Sequence, residues 1–350
     1  MRALVKVKPG PENAILDVPV PEIASDEILI KVKAAAICGS DIHKFHWDPS
    51  MYMYEPYLPL IFGHEFSGVV ERVGADIPSD AAKPGDRVAI NNAHSCGVCD
   101  YCRRGMVSLC PEFYWNGGTK NGAFAEYTVV KQDQILHMPD DMSFLAGSLI
   151  EPLGVAANAV EKLGVGLGDR VAVIGAGTIG LFTTLMAKSA GASQCVIIGL
   201  RSDLARLKLA TQELGADHYI INDEQNAEEE IQKLTDGMGM DIVFDCSGVA
   251  ELVNLSLKLV KLTGRVGVVG IYSKTMELDL SALVRSQKSL IGTFGGTIPY
   301  DRTFLWAKGH PELLKKAEKI VTHTSRIEDI DRALERNRTH ESIKEVFLFD

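Results

Sequence analysis

The sequence predicts an α/β protein in two parts, a β-rich first half followed by a doubly wound parallel sheet. Three observations carry this. Short β-rich segments broken by Pro and Gly fill residues 1–150. Strand and helix patterns alternate from about residue 170. A glycine-rich turn, GAGTIG, joins the first of those strands to the first of those helices. A chain of 350 residues is too long for one ordinary core, so two domains are expected.

In the first half, ALVKVK, EILIKVKAAAI, FSGVVERVG, DRVAI and AFAEYTVV are β-rich and often alternate. Turns such as KPGDRV separate them. In the second part VAVIGAG is an apolar strand and turn, and TIGLFTTLMAKSAGA a helix stopped by glycine. CVIIGL, HYIIN, DIVFDCSG, GRVGVVGI and SLIGTF read as further strands. DLARLKLATQELGA, EEEIQKLTDG and ELVNLSLKLVKL read as the intervening helices. Strands joined by helical crossovers make a parallel sheet. The acidic run Glu228–Glu230 is a solvated helix start favoured by the dipole. Two helical stretches, FLWAKGHPELLKKAEKIV and IEDIDRALERNRT, and a closing strand, KEVFLFD, end the chain and are able to pack back on the first half.

Composition is that of a globular protein, 46% hydrophobic and 23% charged. Thirty-six basic residues against 46 acidic give a net charge of −10, which argues against a nucleic-acid or anionic-membrane partner. Lys6, Lys8 and Pro9 interrupt the N-terminal apolar residues, and no run of about 18 apolar residues occurs. A cytoplasmic, reducing location is expected. There clustered cysteines bind metal more often than they pair.

Seven cysteines cannot all pair. Cys96, Cys99, Cys102 and Cys110 follow C-x2-C-x2-C-x7-C, which suits a closed structural zinc site with four thiolates. Pro111 after Cys110 makes iron–sulfur the competing reading, which the x7 spacing disfavours. Cys38 in ICGSDIH and His64 in FGHEFSGVV are donors of the type that catalytic zinc prefers. Ser40 and His43 stand where a proton relay is needed, and Gly39, Gly63 and Gly68 frame both segments. Each of these residues alone is more often structural, a buried thiol or a satisfied imidazole.

Gly175, Gly177 and Gly180 match G-x-G-x-x-G between a strand and a helix, the context a dinucleotide site requires. Thr178 and Ile179 complete the turn. Arg201, with Ser202 beside it, falls near the position where an NAD enzyme carries an acid. Arg201 suits the 2′-phosphate of NADP, the cofactor favoured here, whereas Asp203 two residues on suits NAD.

Together CGSDIH, GHEFSGVV, the four-cysteine lobe and GAGTIG resemble the zinc-dependent medium-chain alcohol dehydrogenase family over essentially the whole chain. The resemblance implies a GroES-like catalytic domain, residues 1–152 and 298–350, and a Rossmann domain, residues 153–297, with the active-site cleft between them. It implies a catalytic zinc on Cys38 and His64, with the four-cysteine zinc as the structural one. The ethanol-type branch adds a second cysteine, which this chain lacks. Cys195 and Cys246 lie in strands, and LIEPLGVA offers Glu151 instead, with Glu65 as the other acidic candidate. That departure resembles the sorbitol and threonine dehydrogenase branch. Ser40, His43 and Glu65 are the catalytic residues expected on this basis.

The expected reaction is oxidation of a secondary alcohol of a polyol or sugar alcohol to a ketone, with NAD(P) accepting hydride. L-Threonine or a vicinal diol is the second choice. The HxxxWD element from His43 to Asp48 and Trp306 resemble threonine dehydrogenases, and TFGGT suits polyol enzymes equally. A zinc-independent, reductase-like or non-catalytic relative is the remaining alternative. Family members are commonly homodimers or homotetramers, for which VGVVGI and SLIGTF are the candidate edge strands.

Overall fold

A computed structural model describes residues 1–272, 274–295 and 300–350. It divides into two compact units, one of Met1–Glu151 with Gly296–Asp350, the other of Pro152–Gly295.

The first unit is built on a mixed sheet whose long strand is Glu27–Ala36. The strand Glu65–Val73 pairs antiparallel with it on one side. On the other side the C-terminal strand Lys344–Leu348 pairs antiparallel, bringing Val346 opposite Ala36. The strand Tyr127–Lys131 pairs with its first half. The C-terminal piece therefore does return to the first half, and its register sets Lys344 beside the end of Glu27–Ala36. Phe45, Phe62, Phe66, Phe124 and Phe347 fill the interior, with Phe124 and Phe347 edge to face at 5.2 Å between centroids. This aromatic core holds the two segments that carry Cys38 and His64. Phe45 anchors the helix Gly39–His46, and Gly63 lies so close to Phe124 that a Cβ there would stand 2.6 Å from the ring.

The second unit is a six-stranded parallel sheet. In spatial order its strands are His218–Ile221, Gln194–Gly199, Arg170–Ile174, Met240–Asp245, Val260–Val268 and Ser289–Gly292. The chain moves outward one way from Arg170–Ile174 and the other way from Met240–Asp245. The switch point lies between those two strands, where such sheets bind ligands. The acidic run Glu228–Glu230 forms the first turn of the helix Ala227–Leu234, capped by the Asn226 side chain.

Three expectations are corrected. FLWAKGHPELLKKAEKIV is two helices, Tyr300–Gly309 and Pro311–Glu318, because Pro311 has no N–H to continue the ladder, and its end leads into a strand, Val321–Ser325. The helix ELVNLSLKLVKL stops at Leu259, and Val260 opens the next strand. VGVVGI is not an edge: Val260–Val268 is paired on both sides, leaving Ser289–Gly292 and His218–Ile221 at the margins. Of TFGGT, residues 296 and 297 lie outside the described residues.

Candidate metal and cofactor sites

Cys38 ends the strand-to-helix passage as the N-cap of Gly39–His46. Glu65 opens the neighbouring strand Glu65–Val73, and His64 immediately precedes it. Their donor atoms lie within 4.8 Å of one another, and His64 and Glu65 are buried. Glu151, in the first turn of the helix Ile150–Lys162, is outside that group. Its Oε1 accepts hydrogen bonds from Tyr300 at 2.9 Å and Asn92 at 3.1 Å. Burial, and then the neighbouring Glu65, push its carboxyl above the usual range, although His64 opposes this.

Four residues that the motifs did not single out complete this environment. Asp41 is fully buried, and its Oδ1 stands 3.5 Å from His64 Nδ1. Burial opposes its charge, yet Lys44 and His64 outweigh burial and hold the carboxyl well below its ordinary value. Lys344 is ion-paired with Glu65 and donates to the Ile37 carbonyl at 2.8 Å. Burial lowers its pKa, but Glu65 and Cys38 raise it further than burial lowers it. Lys44, whose Nζ donates to Asp41 Oδ1 at 3.2 Å, is the third, and Tyr300 is the fourth. Asp41 was legible, lying inside CGSDIH. Lys344 and Tyr300 arrive from the far end of the chain with no local signal.

The donor set fits a divalent cation. Cys38, Asp41, Glu65 and Glu151 are four acidic groups facing two ammonium groups, those of Lys44 and Lys344. His64 Nδ1 is buried with no hydrogen-bond partner. Burial opposes protonation of that ring, but Asp41 and Cys38 raise its pKa well above the ordinary value. An excess of buried negative charge that draws a proton onto the imidazole is the field a metal ion neutralises.

Ser40, in the first turn of the helix, has a buried Oγ with no hydrogen-bond partner. His43, one turn on, is 62% exposed at its side chain and pairs with Asp48. Trp306 stacks on His310 with centroids 5.7 Å apart.

The four lobe cysteines also meet, with all sulfurs within 4.8 Å and none in a disulfide. Cys96 and Cys102 sulfurs are 4.0 Å apart. A tetrahedral Zn–S length of about 2.3 Å puts sulfurs roughly 3.8 Å apart, so the ring fits one ion. An iron–sulfur cluster spreads four thiolates over two or four irons and so holds them wider apart. Backbone N–H groups of Cys99, Cys102 and Cys96 point at the sulfurs of Cys96, Cys99 and Cys110, at 3.3–3.4 Å. N–H groups of Val98 and Cys99 draw the Cys96 thiol down to about 7. The Cys99 thiol is pushed up to about 11: the Cys102 N–H favours its thiolate, but burial and the surrounding sulfurs outweigh it. Four close sulfurs ionise together only around a cation.

In the second unit the three glycines have separate jobs. Gly175 turns the chain at φ 100°. A Cβ on Gly180 would stand 1.9 Å from the Gly175 carbonyl oxygen, so only glycine packs there. At Gly177 a Cβ would meet nothing within 4 Å, which leaves the backbone open to a pyrophosphate at the N-terminus of the helix Thr178–Ser189, whose first turn holds Thr178 and Ile179. Arg201 and Ser202 lie in the short turn after Gln194–Gly199. The Arg201 guanidinium is already paired with Glu224, and its backbone N–H donates to Asp223 at 2.8 Å. Asp203 accepts from the Leu200 N–H at 3.1 Å and faces Arg206 at 3.5 Å, which ties it to its own turn.

Comparison with known proteins accords with this arrangement. Residues 24–140 match the family model of the alcohol dehydrogenase GroES-like domain, and residues 178–307 that of zinc-binding dehydrogenases. The D-arabitol-phosphate dehydrogenase of Enterococcus avium is 35% identical, covering 96% of this chain and 95% of its own. The L-threonine 3-dehydrogenase of Symbiobacterium thermophilum is 34% identical, covering 100% and 98%. The crystal structure of galactitol-1-phosphate dehydrogenase from Escherichia coli superposes with a TM-score of 0.87 at 26% identity, covering 100% of both chains. The order of the metal-binding segments, the glycine turn and these matches across the full length agree, and the chain belongs to the zinc-dependent medium-chain alcohol dehydrogenase family.

Proposed function

We propose that this enzyme reversibly oxidises a secondary alcohol of a polyol or sugar alcohol to a ketone, with NAD(P) as hydride acceptor. The observation that carries the reading is the cluster of Cys38, His64 and Glu65, with the unpartnered Ser40 hydroxyl two residues from Cys38. Cys38, His64 and Glu65 are the residues that would hold the catalytic zinc, with Glu151 beside them as a further oxygen donor. Cys96, Cys99, Cys102 and Cys110 would hold the structural one. A zinc ion at the first site supplies Lewis-acid polarisation of the substrate hydroxyl. Ser40 Oγ, free of protein partners, takes the hydroxyl proton as it passes its own proton on along the relay towards His43. Exposed His43, steadied by Asp48, delivers protons to water. Gly175, Gly177 and Gly180 would receive the pyrophosphate of NAD(P), which would supply the hydride acceptor for the carbinol carbon.

The polyol class is supported by the arabitol-phosphate and galactitol-1-phosphate relatives. L-Threonine is the second reading, supported by the full-length threonine dehydrogenase match and by Trp47 and Asp48 after His43. A panel of free and phosphorylated polyols, vicinal diols and L-threonine, followed by reduced-cofactor absorbance, decides between them; no turnover of any polyol would refute the first. A zinc-independent relative has no use for either donor cluster, and bound zinc of about two per chain is expected. Among the described residues no helix is long and apolar enough to cross a membrane. We place the enzyme in the cytoplasm, as a homodimer or homotetramer joined through the edge strand Ser289–Gly292, without nucleic-acid or membrane partners.

Ser40→Ala is expected to lower kcat by about 10²–10⁴-fold while leaving zinc content unchanged. An unchanged kcat would remove Ser40 from the relay.

Arg201 remains our assigned contact for the NADP 2′-phosphate, but Glu224 neutralises it, and a phosphate must displace that carboxylate. Both side chains are about half exposed, so the pair is screened by water and weak. Glu224→Gln is therefore expected to raise the NADP-to-NAD ratio of kcat/KM by about five-fold. Arg201→Ala is expected to abolish any NADP preference; an unchanged preference would sink the assignment.

A further inference from the structure

Lys44 is the one cation in the helix Gly39–His46 that does not reach solvent. Its side chain is 1% exposed. Nζ lies 4.9 Å from the centroid of the Trp115 ring and 5.2 Å from those of Tyr54 and Phe62. It donates to Asp41 Oδ1 at 3.2 Å and to the Gly117 carbonyl at 2.9 Å. A buried ammonium group is costly unless it is paired, and aromatic faces repay only part of that cost. Nothing in the proposed proton or hydride path touches Lys44.

What the ammonium group does is fix the two groups against which His64 rests. Asp41, fully buried, accepts the Cys38 N–H at 3.2 Å through Oδ2 and faces His64 Nδ1 with Oδ1. Trp115 packs on the His64 ring at 5.3 Å and on Lys44 from its other contacts. The shortest path from Lys44 to the metal donors therefore runs through one carboxylate. That carboxylate touches the backbone of one donor and the ring of another. Asp41 Oδ1 and His64 Nδ1 are 3.5 Å apart, so the carboxylate faces the ring without a hydrogen bond to it.

We infer that Lys44 is a positioning residue for the metal centre: it pins Asp41 so that Cys38 and His64 are held in ligating geometry before the ion arrives. The inference rests on the reading of Cys38 and His64 as a zinc site. Outer partners of metal ligands typically contribute about 10–100-fold in affinity, and that is the effect expected here.

The test is metal release from the full-length, zinc-loaded protein to a chromophoric chelator. Wild type, Lys44→Met, Lys44→Met/Asp41→Asn and Val88→Ala are compared. The double variant carries no lone buried charge. Val88→Ala makes a cavity in the same core at a residue that belongs to neither donor group. Both Lys44 variants are expected to release one ion per chain about 10–100-fold faster than wild type and to keep the second ion at the wild-type rate. Val88→Ala is expected to match wild type. Wild-type release from either Lys44 variant overturns the inference, as does equally fast release from Val88→Ala, which would mark a general loosening. Should Lys44→Met fail to fold, the double variant decides alone by the same criterion. A wild type that binds only one ion instead overturns the reading of the Cys38–His64 site, whatever the variants do.

Discussion

Replacing Cys38 with alanine is expected to lower kcat by about 10³-fold or more and to reduce bound zinc from about two per chain to about one. The argument is local. Cys38 is the only thiol in a donor group that otherwise offers an imidazole and a carboxylate, His64 and Glu65. Removing it leaves two protein donors, fewer than the three that catalytic zinc sites use. Lewis-acid polarisation is worth several kcal/mol, and each ~1.4 kcal/mol is tenfold in rate, which sets the 10³. The helix that begins at Gly39 keeps its N-terminal turn, because the Cys38 carbonyl and N–H, not its sulfur, bond Asp41 and Ile42. The variant should therefore fold. Metal analysis and turnover on the best alcohol of the panel are the two measurements. Full turnover with one zinc per chain would end the metal-dependent mechanism.

Much of this architecture was legible because it is periodic or closely spaced. Alternating EILIKVKAAA became the central strand of its sheet, and the strand–helix alternation after residue 170 became the parallel sheet. Three of the four cysteines in the lobe are separated by two residues, so the chain itself keeps them together. What failed to be legible depends on distant parts of the chain. The sequence VGVVGI looks like any apolar strand, and only the position of Ser289–Gly292 beyond it makes it internal. Pro311 is a local break, but the apolar pattern on both sides of it reads as one helix. Lys44 has the look of a solvated helix charge next to His43. It is buried because Tyr54, Phe62 and Trp115 close over it from other segments. Lys344 reaches Glu65 because of the antiparallel register of the last strand, which no local pattern encodes. Arg201 was found by its distance from the glycine turn, whereas its partner Glu224 follows a different strand.

Cys110→Ala is expected to act on stability where Cys38→Ala acts on rate. The lobe has little apolar interior of its own. Cys110 is buried, whereas Val98, Tyr101, Met106 and Leu109 are exposed. Its helical pieces are short, Asp100–Arg103 and Val107–Leu109, too short to persist unaided. The metal ion must therefore supply the order that a core would. Apparent zinc-binding energies for four-ligand sites of about 10–16 kcal/mol are also folding energies, so one ligand of four is worth roughly 3 kcal/mol. In a domain of about 150–250 residues that lowers Tm by roughly 6–12 °C. Cys110 differs from the other three in being separated from Cys102 by seven residues, so its loss opens the loop that it closes. Proteolysis is then expected within residues 96–110, at rates that zinc no longer suppresses. Initial rates of alcohol oxidation, measured below the new Tm, should stay within a few-fold of wild type, because Cys38, His64 and Glu65 are in another donor group. An unchanged Tm with zinc at one ion per chain would show that the lobe holds its shape without metal, contrary to the structural role assigned to it.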